Sequence, residues 1–278
     1  MPRWIVDAAK TLVFDGVAAL RVRVISGTVA VLASESAPAV DIASLKGQPL
    51  LVSHEAGILT ITYEDLSWDG LLGWLRPQRH SAEITVTVPR GCPTQLGVVN
   101  ASAIVSGISA NISVKSVSGD ITLDGVTGKV DAKTVSGDLE ARGLDGGIAF
   151  NSVSGDLTLA GGSVRELDAK TVGGKVTADV DLRADGGLRV TTVSGEVAVR
   201  LPADTSAEVD LRSTSGRVRT GFEGLQCARS TGSNTVAGTL GAGAGKLTVT
   251  TLSAPISLLQ RGQPSCSEET PGGPAGDA

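Results

Sequence analysis

Lys115-Ser-Val-Ser-Gly-Asp120, Lys133-Thr-Val-Ser-Gly-Asp138 and Asn151-Ser-Val-Ser-Gly-Asp156 are three copies of one hexapeptide. Their glycines, Gly119, Gly137 and Gly155, recur every 18 residues. The cycle continues more loosely through Thr171-Val-Gly-Gly174, Thr192-Val-Ser-Gly195 and Thr214-Ser-Gly216, at spacings of 19, 21 and 21. Backwards, Val99-Asn-Ala101 aligns with Val117-Ser-Gly119, and Val105-Ser-Gly107 with Leu123-Asp-Gly125. A fixed period of this length is the mark of a repeat architecture.

Within one period the residues read strand, tight turn, strand, tight turn. Ile121 and Leu123 share one face at period two, and Val130 and Ala132 resume the alternation after Asp124-Gly125 and Gly128. Counted back at the same parity, Val117 joins that face, with Gly119 held there by φ > 0 or by a close backbone approach. No period holds an apolar stripe at helical spacing. A unit this short cannot bury its own apolar face, so successive units must stack, each strand pairing with its counterpart about 4.8 Å away. The expected fold is all-β: a parallel β-solenoid, β-helix or β-prism-like, of ~18–21-residue repeats. Its inner columns are expected to be Val117, Val135 and Val153, and Ile121, Leu139 and Leu157. On this reading Val135→Asp breaks the stack.

Composition agrees. Of 278 residues 36 are Gly, and aromatics are 3%, against a usual Gly level of about 7%. Narrow columns of small aliphatic side chains need few rings. The net charge is −5, and no basic stripe of the kind nucleic acid requires is present. The start of the chain, Met1-Pro-Arg-Trp-Ile-Val-Asp7, lacks the uninterrupted apolar run of a secretory signal, and no run approaches a membrane span. The expectation is a cytoplasmic protein, with peripheral membrane contact left open. Cys92, Cys227 and Cys266 are odd in number and far apart, so they read as isolated thiols.

Residues 1–93 read as a β-rich N-terminal cap or first rungs. Leu20-Arg-Val-Arg-Val-Ile25, Ile58-Leu-Thr-Ile-Thr-Tyr63 and Ile84-Thr-Val-Thr-Val88 all alternate, and Pro89-Arg-Gly-Cys-Pro93 marks a boundary. The repeat solenoid occupies 94–260, and Lys246-Leu-Thr-Val-Thr-Thr-Leu252 reads as a last strand. Residues 261–278 are expected to be disordered. One segment breaks the β pattern: Trp68, Leu71, Leu72 and Leu75 fall at i, i+3, i+4 and i+7, with Trp74 and Arg76 beside them. It reads as a short amphipathic helix that either covers an end of the solenoid or docks on a membrane or partner.

Chemistry is sparse. His54 and His80 are the two histidines, and both lie outside the repeat. There is no Gly-x-Ser-x-Gly elbow, and Gly241-Ala-Gly-Ala-Gly-Lys246 lacks the flanking residues of a phosphate loop. The one constellation inside the repeat is an acid column, Asp120, Asp138 and Asp156 with Glu196, preceded by a lysine column, Lys115, Lys133 and Lys170. Stacked acids could bind Ca²⁺ or line a polysaccharide groove. Alternatively they are turn residues whose repulsion the lysines offset. No metal or cofactor is expected on balance.

The repeated Ser-Val-Ser-Gly-Asp units resemble a bacterial β-strand-repeat family of unknown function labelled "putative adhesin". Ile84-Thr-Val-Thr-Val-Pro89 and Val199-Arg-Leu-Pro-Ala-Asp204 extend the resemblance to roughly residues 11–260. It implies a repetitive β architecture and carries over no catalytic residues. The expected role is a non-enzymatic interaction or scaffold protein that presents a polar face for protein partners or self-association. The alternatives are a cell-surface adhesin, a peripheral membrane binder through Trp68–Arg76, and a carbohydrate-active β-helix.

Overall fold

A computed structural model describes residues 3–63, 80–230 and 232–262. Every regular element among them is a strand, 21 in all. The segment holding Trp68, Leu71, Leu72, Trp74, Leu75 and Arg76 lies outside the described residues, as does 263–278.

The repeats stack in parallel, one rung per period. Ile121 lies beside Ala103 and Leu139, Leu139 beside Leu157, and Leu157 beside Val176. All are buried in one continuous core. Side-chain volume is balanced along these columns. Phe150, fully buried, lies between Ala132 and Ala169. Leu123 and Leu159 flank Ala141. A rung spacing of about 4.8 Å leaves room for a ring only where its neighbours are small. Gly125 and Gly128, at φ +57° and +123°, bend the chain between the two strands of a period.

The core differs from the sequence expectation at one column. Val135, Val153, Val172 and Val193 point outward and are 48%, 52%, 50% and 42% exposed, and Val117 is half-buried. The inward place is taken by the hydroxyl residue just before each: Ser116, Thr134, Thr171 and Thr192 are buried. The next inward residue is the glycine three positions on. Two residues therefore form the outside of each corner, Val and Ser in most and Val172 with Gly173 in one. An odd step between inward positions shifts the parity, so counting by twos across the corner puts Val117 on the wrong face. Ile121, Leu139 and Leu157 belong to the core as expected, and the residue whose replacement by Asp would break the stack is Leu139, not Val135.

The corner glycines answer to close approach. Gly119, Gly137 and Gly155 do not have left-handed φ. A Cβ on Gly137 would stand 2.2 Å from the Gly119 carbonyl oxygen, and one on Gly155 2.1 Å from that of Gly137.

Both ends of the stack are threaded out of sequence order. Ala19–Ala33 runs parallel to Thr94–Ser106 on one side and to Ile58–Tyr63 and Ser81–Val88 on the other. Residues before and after Pro89–Pro93 thus share neighbouring rungs. Near the other end, Gly245–Thr251 inserts between Val176–Thr192 and Ala207–Ser213. Ile256–Arg261 likewise inserts between Val197–Pro202 and Val218–Thr220. The strand that reads as last in the sequence is therefore interior to the stack. Antiparallel strands lie outermost: Leu50–Glu55 with Arg3–Val6, Ala39–Lys46 with Lys10–Val13, and Ser233–Leu240 with Gln226–Ser230. This change of direction interrupts the parallel template at both ends.

Candidate interaction faces

Each corner is a compact hydrogen-bonded unit. The Gly137 amide donates to Thr134 Oγ1 at 2.9 Å, and that hydroxyl donates to the Gly137 carbonyl at 2.9 Å. Ser116 with Gly119 repeats the arrangement at 3.0 and 2.7 Å. The amides of Gly174, Gly195 and Gly216 bond Thr171, Thr192 and Ser213 in the same way. A Ser or Thr three residues before Gly is thus a turn-closing pair, as short hydroxyl side chains favour. That spacing was visible in the sequence and marks which residue points inward.

The outer serines tie rungs together. Ser136 Oγ donates to the Val117 carbonyl at 3.2 Å, Ser154 Oγ to that of Val135 at 3.3 Å, and Ser194 Oγ to that of Val172 at 3.2 Å. Ser253 then bonds Val193, and Ser215 bonds Leu252. The corner ridge therefore runs Val117, Val135, Val153, Val172, Val193, Leu252 in space, with Leu252 54% exposed.

The acid column serves the same ladder. The Asp138 amide donates to Asp120 Oδ1 at 3.2 Å, the Asp156 amide to Asp138 Oδ1 at 2.8 Å, and the Lys175 amide to Asp156 Oδ1 at 2.7 Å. Each carboxylate caps a backbone amide one rung on, which accounts for an aspartate at this position in three successive repeats. Among the described residues no group of three or more His, Cys, Asp and Glu side chains has a metal-holding arrangement.

Lys115 and Lys133 lie on neighbouring rungs, but on the strand before the corner, whereas Asp120 and Asp138 open the strand after it. The ridge separates the two columns, so the lysines do not neutralise the aspartate column. Lys133 and Lys170 meet acids two residues back instead: Lys133 Nζ is 3.8 Å from Asp131 and Lys170 Nζ 2.8 Å from Asp168. Lys175 reaches Glu196 at 3.6 Å.

A further charged cluster went unread in the sequence because its members are far apart along the chain. Arg200 Nε donates to Asp179 Oδ2 at 3.0 Å. Arg261, on the inserted strand Ile256–Arg261, donates to Asp179 Oδ1 at 2.7 Å and to Asp181 Oδ1 at 2.6 Å. The Arg200 hydrogen bond is the main cause holding the Asp179 carboxyl below the ordinary carboxylate range. Partial burial opposes it, and Arg261 adds to it.

Both histidines pack against aromatic rings. His80 is buried, its Nδ1 accepts the Gln48 amide at 3.0 Å, and its ring lies 5.5 Å from that of Tyr63. His54 lies edge-on to Phe14 at 5.7 Å. Burial pushes the Cys92 thiol up to about 11, away from thiolate chemistry, and Cys227 is a free, exposed thiol. An open depression of about 420 Å³ between Arg21, Gln95 and Lys129 contains one carboxylate, Asp131, already beside Lys133.

Stacked rungs with a glycine-dependent corner and antiparallel closure agree with what a family profile finds. The Toastrack DUF4097 profile matches residues 18–258. The chain belongs to the Toastrack family. Its function is not defined by that membership. Solved structures similar to this chain include a "putative cell adhesion protein" from Clostridium sporogenes, 11% identical over 91% of this chain and 99% of that one, with a TM-score of 0.29. Two from Parabacteroides distasonis are a "putative lipid binding protein" (13% identical, 90% and 96% covered, TM-score 0.39) and a "putative adhesin" (10%, 91% and 95%, TM-score 0.39). No curated protein matches this chain. Among the described residues no helix is long and apolar enough to cross a membrane.

Proposed function

We propose that this Toastrack domain is a non-enzymatic scaffold that presents linear arrays of side chains to a protein partner. The carrying observation is the corner: one hydrogen-bonded unit, repeated rung after rung, holds chemically like side chains in columns at constant spacing. A rigid array of this kind needs little ordering on binding, which lowers the entropic cost of association. The aspartates of the repeat column are engaged as backbone caps, and the depression beside Arg21 offers no pair of carboxylates. The arrays suit adhesion equally if the domain works at a cell surface, and location separates the two settings.

Site-specific photo-cross-linking in the source cells tests the scaffold reading, with the reactive side chain placed at Lys133, at Thr122 or at Arg189. A cross-link to a different protein from one face and not the others is the expected result. No cross-link to another protein from any of the three faces overturns it. Protease shaving of the same intact cells reports the setting: protection places the scaffold inside, digestion at the surface.

A further inference from the structure

The corner ridge is a line of exposed aliphatic side chains on successive rungs, and it accounts for five of the eleven large apolar side chains exposed among the described residues. Val135, Val153, Val172, Val193 and Leu252 are each 42% to 54% exposed and occupy successive rungs, so they form a strip with an apolar side chain about every 4.8 Å. Scattered single hydrophobes on a surface need no explanation, whereas a contiguous line of them marks an interaction site. The corner chemistry does not require them. The outer turn position before each serine contributes only backbone to the ladder, and Thr214 fills it in the rung beyond Leu252.

The charges beside the ridge choose the occupant. On one side stand Lys115 and Lys133, on the other Asp120 and Asp138, in the same two rungs. A second copy of this chain facing the ridge can be related by a two-fold axis in two ways. If the axis runs parallel to the stack, the copies point the same way, and each ridge residue meets its own counterpart. Left and right are then exchanged across the contact. Lys115 and Lys133 of one copy face Asp120 and Asp138 of the other, twice over. If the axis is perpendicular to the stack and the ridges overlap fully, like sides meet: Asp138 faces Glu196 and Asp156 faces Lys175, so repulsion and attraction offset each other. In the parallel arrangement the rung of Lys170 and Lys175 brings two cations together, each beside a carboxylate of its own chain, as Lys133 is beside Asp131; the two attractive rungs still outnumber this repulsive one.

We infer that the ridge is the seam of a parallel homodimer, two solenoids side by side with valine against valine in register and the lysine column of each against the aspartate column of the other. This rests on the scaffold reading only in taking the ridge as a contact surface, and it is tested on purified full-length chain. An isologous seam of this kind is the commonest symmetry of soluble oligomers.

Sedimentation equilibrium should give twice the chain mass of 28.0 kDa. Val153→Asp with Val172→Asp should return the single mass with the strand circular dichroism of the parent, because both side chains are exposed in the single chain. Asp120→Asn with Asp138→Asn keeps an oxygen for each backbone amide and removes the charge. It should weaken association about tenfold and flatten its salt dependence. Orientation is read by cysteine pairs. In a Cys227→Ser, Cys266→Ser background, Val135→Cys and Val193→Cys should each form a disulfide-linked dimer with itself. Self-linking by neither or by only one of them overturns the parallel seam, as does a single mass for the unaltered protein at every concentration. A dimer that survives the Val153/Val172 double substitution overturns the ridge as its site. A monomer that still cross-links to another protein in cells removes this dimer alone, and a monomer without such cross-links removes the scaffold reading too.

Discussion

The carboxylate of Asp138 accepts the backbone amide of Asp156 at 2.8 Å, one rung away. A residue that looks like surface charge is therefore part of the backbone ladder, and its two roles can be separated by substitution. Asp138→Ala should lower stability by about 1–2 kcal/mol, since an amide at the corner loses a charged acceptor. Asp138→Asn should cost less than half as much. Urea denaturation followed by circular dichroism reads both, and equal losses in the two variants would assign the effect to charge rather than to capping.

The glycines divide into two mechanisms that the same measurement distinguishes. Gly137→Ala drives a methyl against the Gly119 carbonyl and should cost about 3 kcal/mol or more, because backbone must move on both rungs. Gly125 has φ +57° but open space around it, so Gly125→Ala should cost only about 1 kcal/mol. A larger loss at Gly125 than at Gly137 would contradict the close-approach account.

Thr134 should tolerate Ser and reject Val. Val keeps the shape but leaves the buried Gly137 amide without an acceptor, a loss of about 1–3 kcal/mol. Thr134→Ser keeps the hydroxyl and should sit within about 0.5 kcal/mol of the parent. Thermal melts of the two variants check this.

The exposed and buried columns should respond in opposite ways to the same charge. Val135→Asp is expected to leave the monomer's thermal midpoint within the range of ordinary surface changes, about 0.5 kcal/mol. Leu139→Asp should prevent folding, because a carboxylate would lie in the continuous core. A folded Leu139→Asp protein would disprove the assigned core face.

The Asp179 cluster makes the inserted strand sensitive to acid. The carboxyl's folded value lies below its unfolded value of about 4. Its contribution is therefore fully present above pH 4 and is lost as the pH falls through the lower folded value. Hydrogen exchange of Ile256–Arg261 should accelerate over that window in the parent. In Asp179→Asn it should be faster already at neutral pH and lose that part of its pH dependence. An unchanged profile in the variant would show that Arg261 does not hold the strand.

The solenoid was legible in the sequence because its cause is local. A hexapeptide recurring at 18 residues fixes the rung, and Ile121, Leu139 and Leu157 fix the core face. What escaped reading has two causes. Alternation by twos does not hold through Thr134–Gly137, because the hydroxyl-to-glycine pair turns the chain in three steps and sends Val135 outward. Pairings between distant segments, such as Arg261 with Asp179 or Gly245–Thr251 with Ala207–Ser213, leave no periodic trace. The partner of each aspartate in the column is the amide of the next rung, a group that no side-chain pattern displays.

The insertion of Gly245–Thr251 between Val176–Thr192 and Ala207–Ser213 bears on how the molecule is made. A repeat stack can ordinarily grow rung upon rung behind the ribosome. Here Val197–Pro202 can still add directly to Val176–Asp179, but the rung of Ala207–Ser213 emerges before the strand that joins it to its neighbour, so vectorial growth halts after Pro202 with a slot held open. Until the later segment arrives, two bare strand edges face each other. The same segment from another nascent molecule fits that slot equally well, making the slot a site for strand exchange between chains on one polysome. Completion of this end is thus a closure step, and its rate sets how long the half-made protein is open to its neighbours.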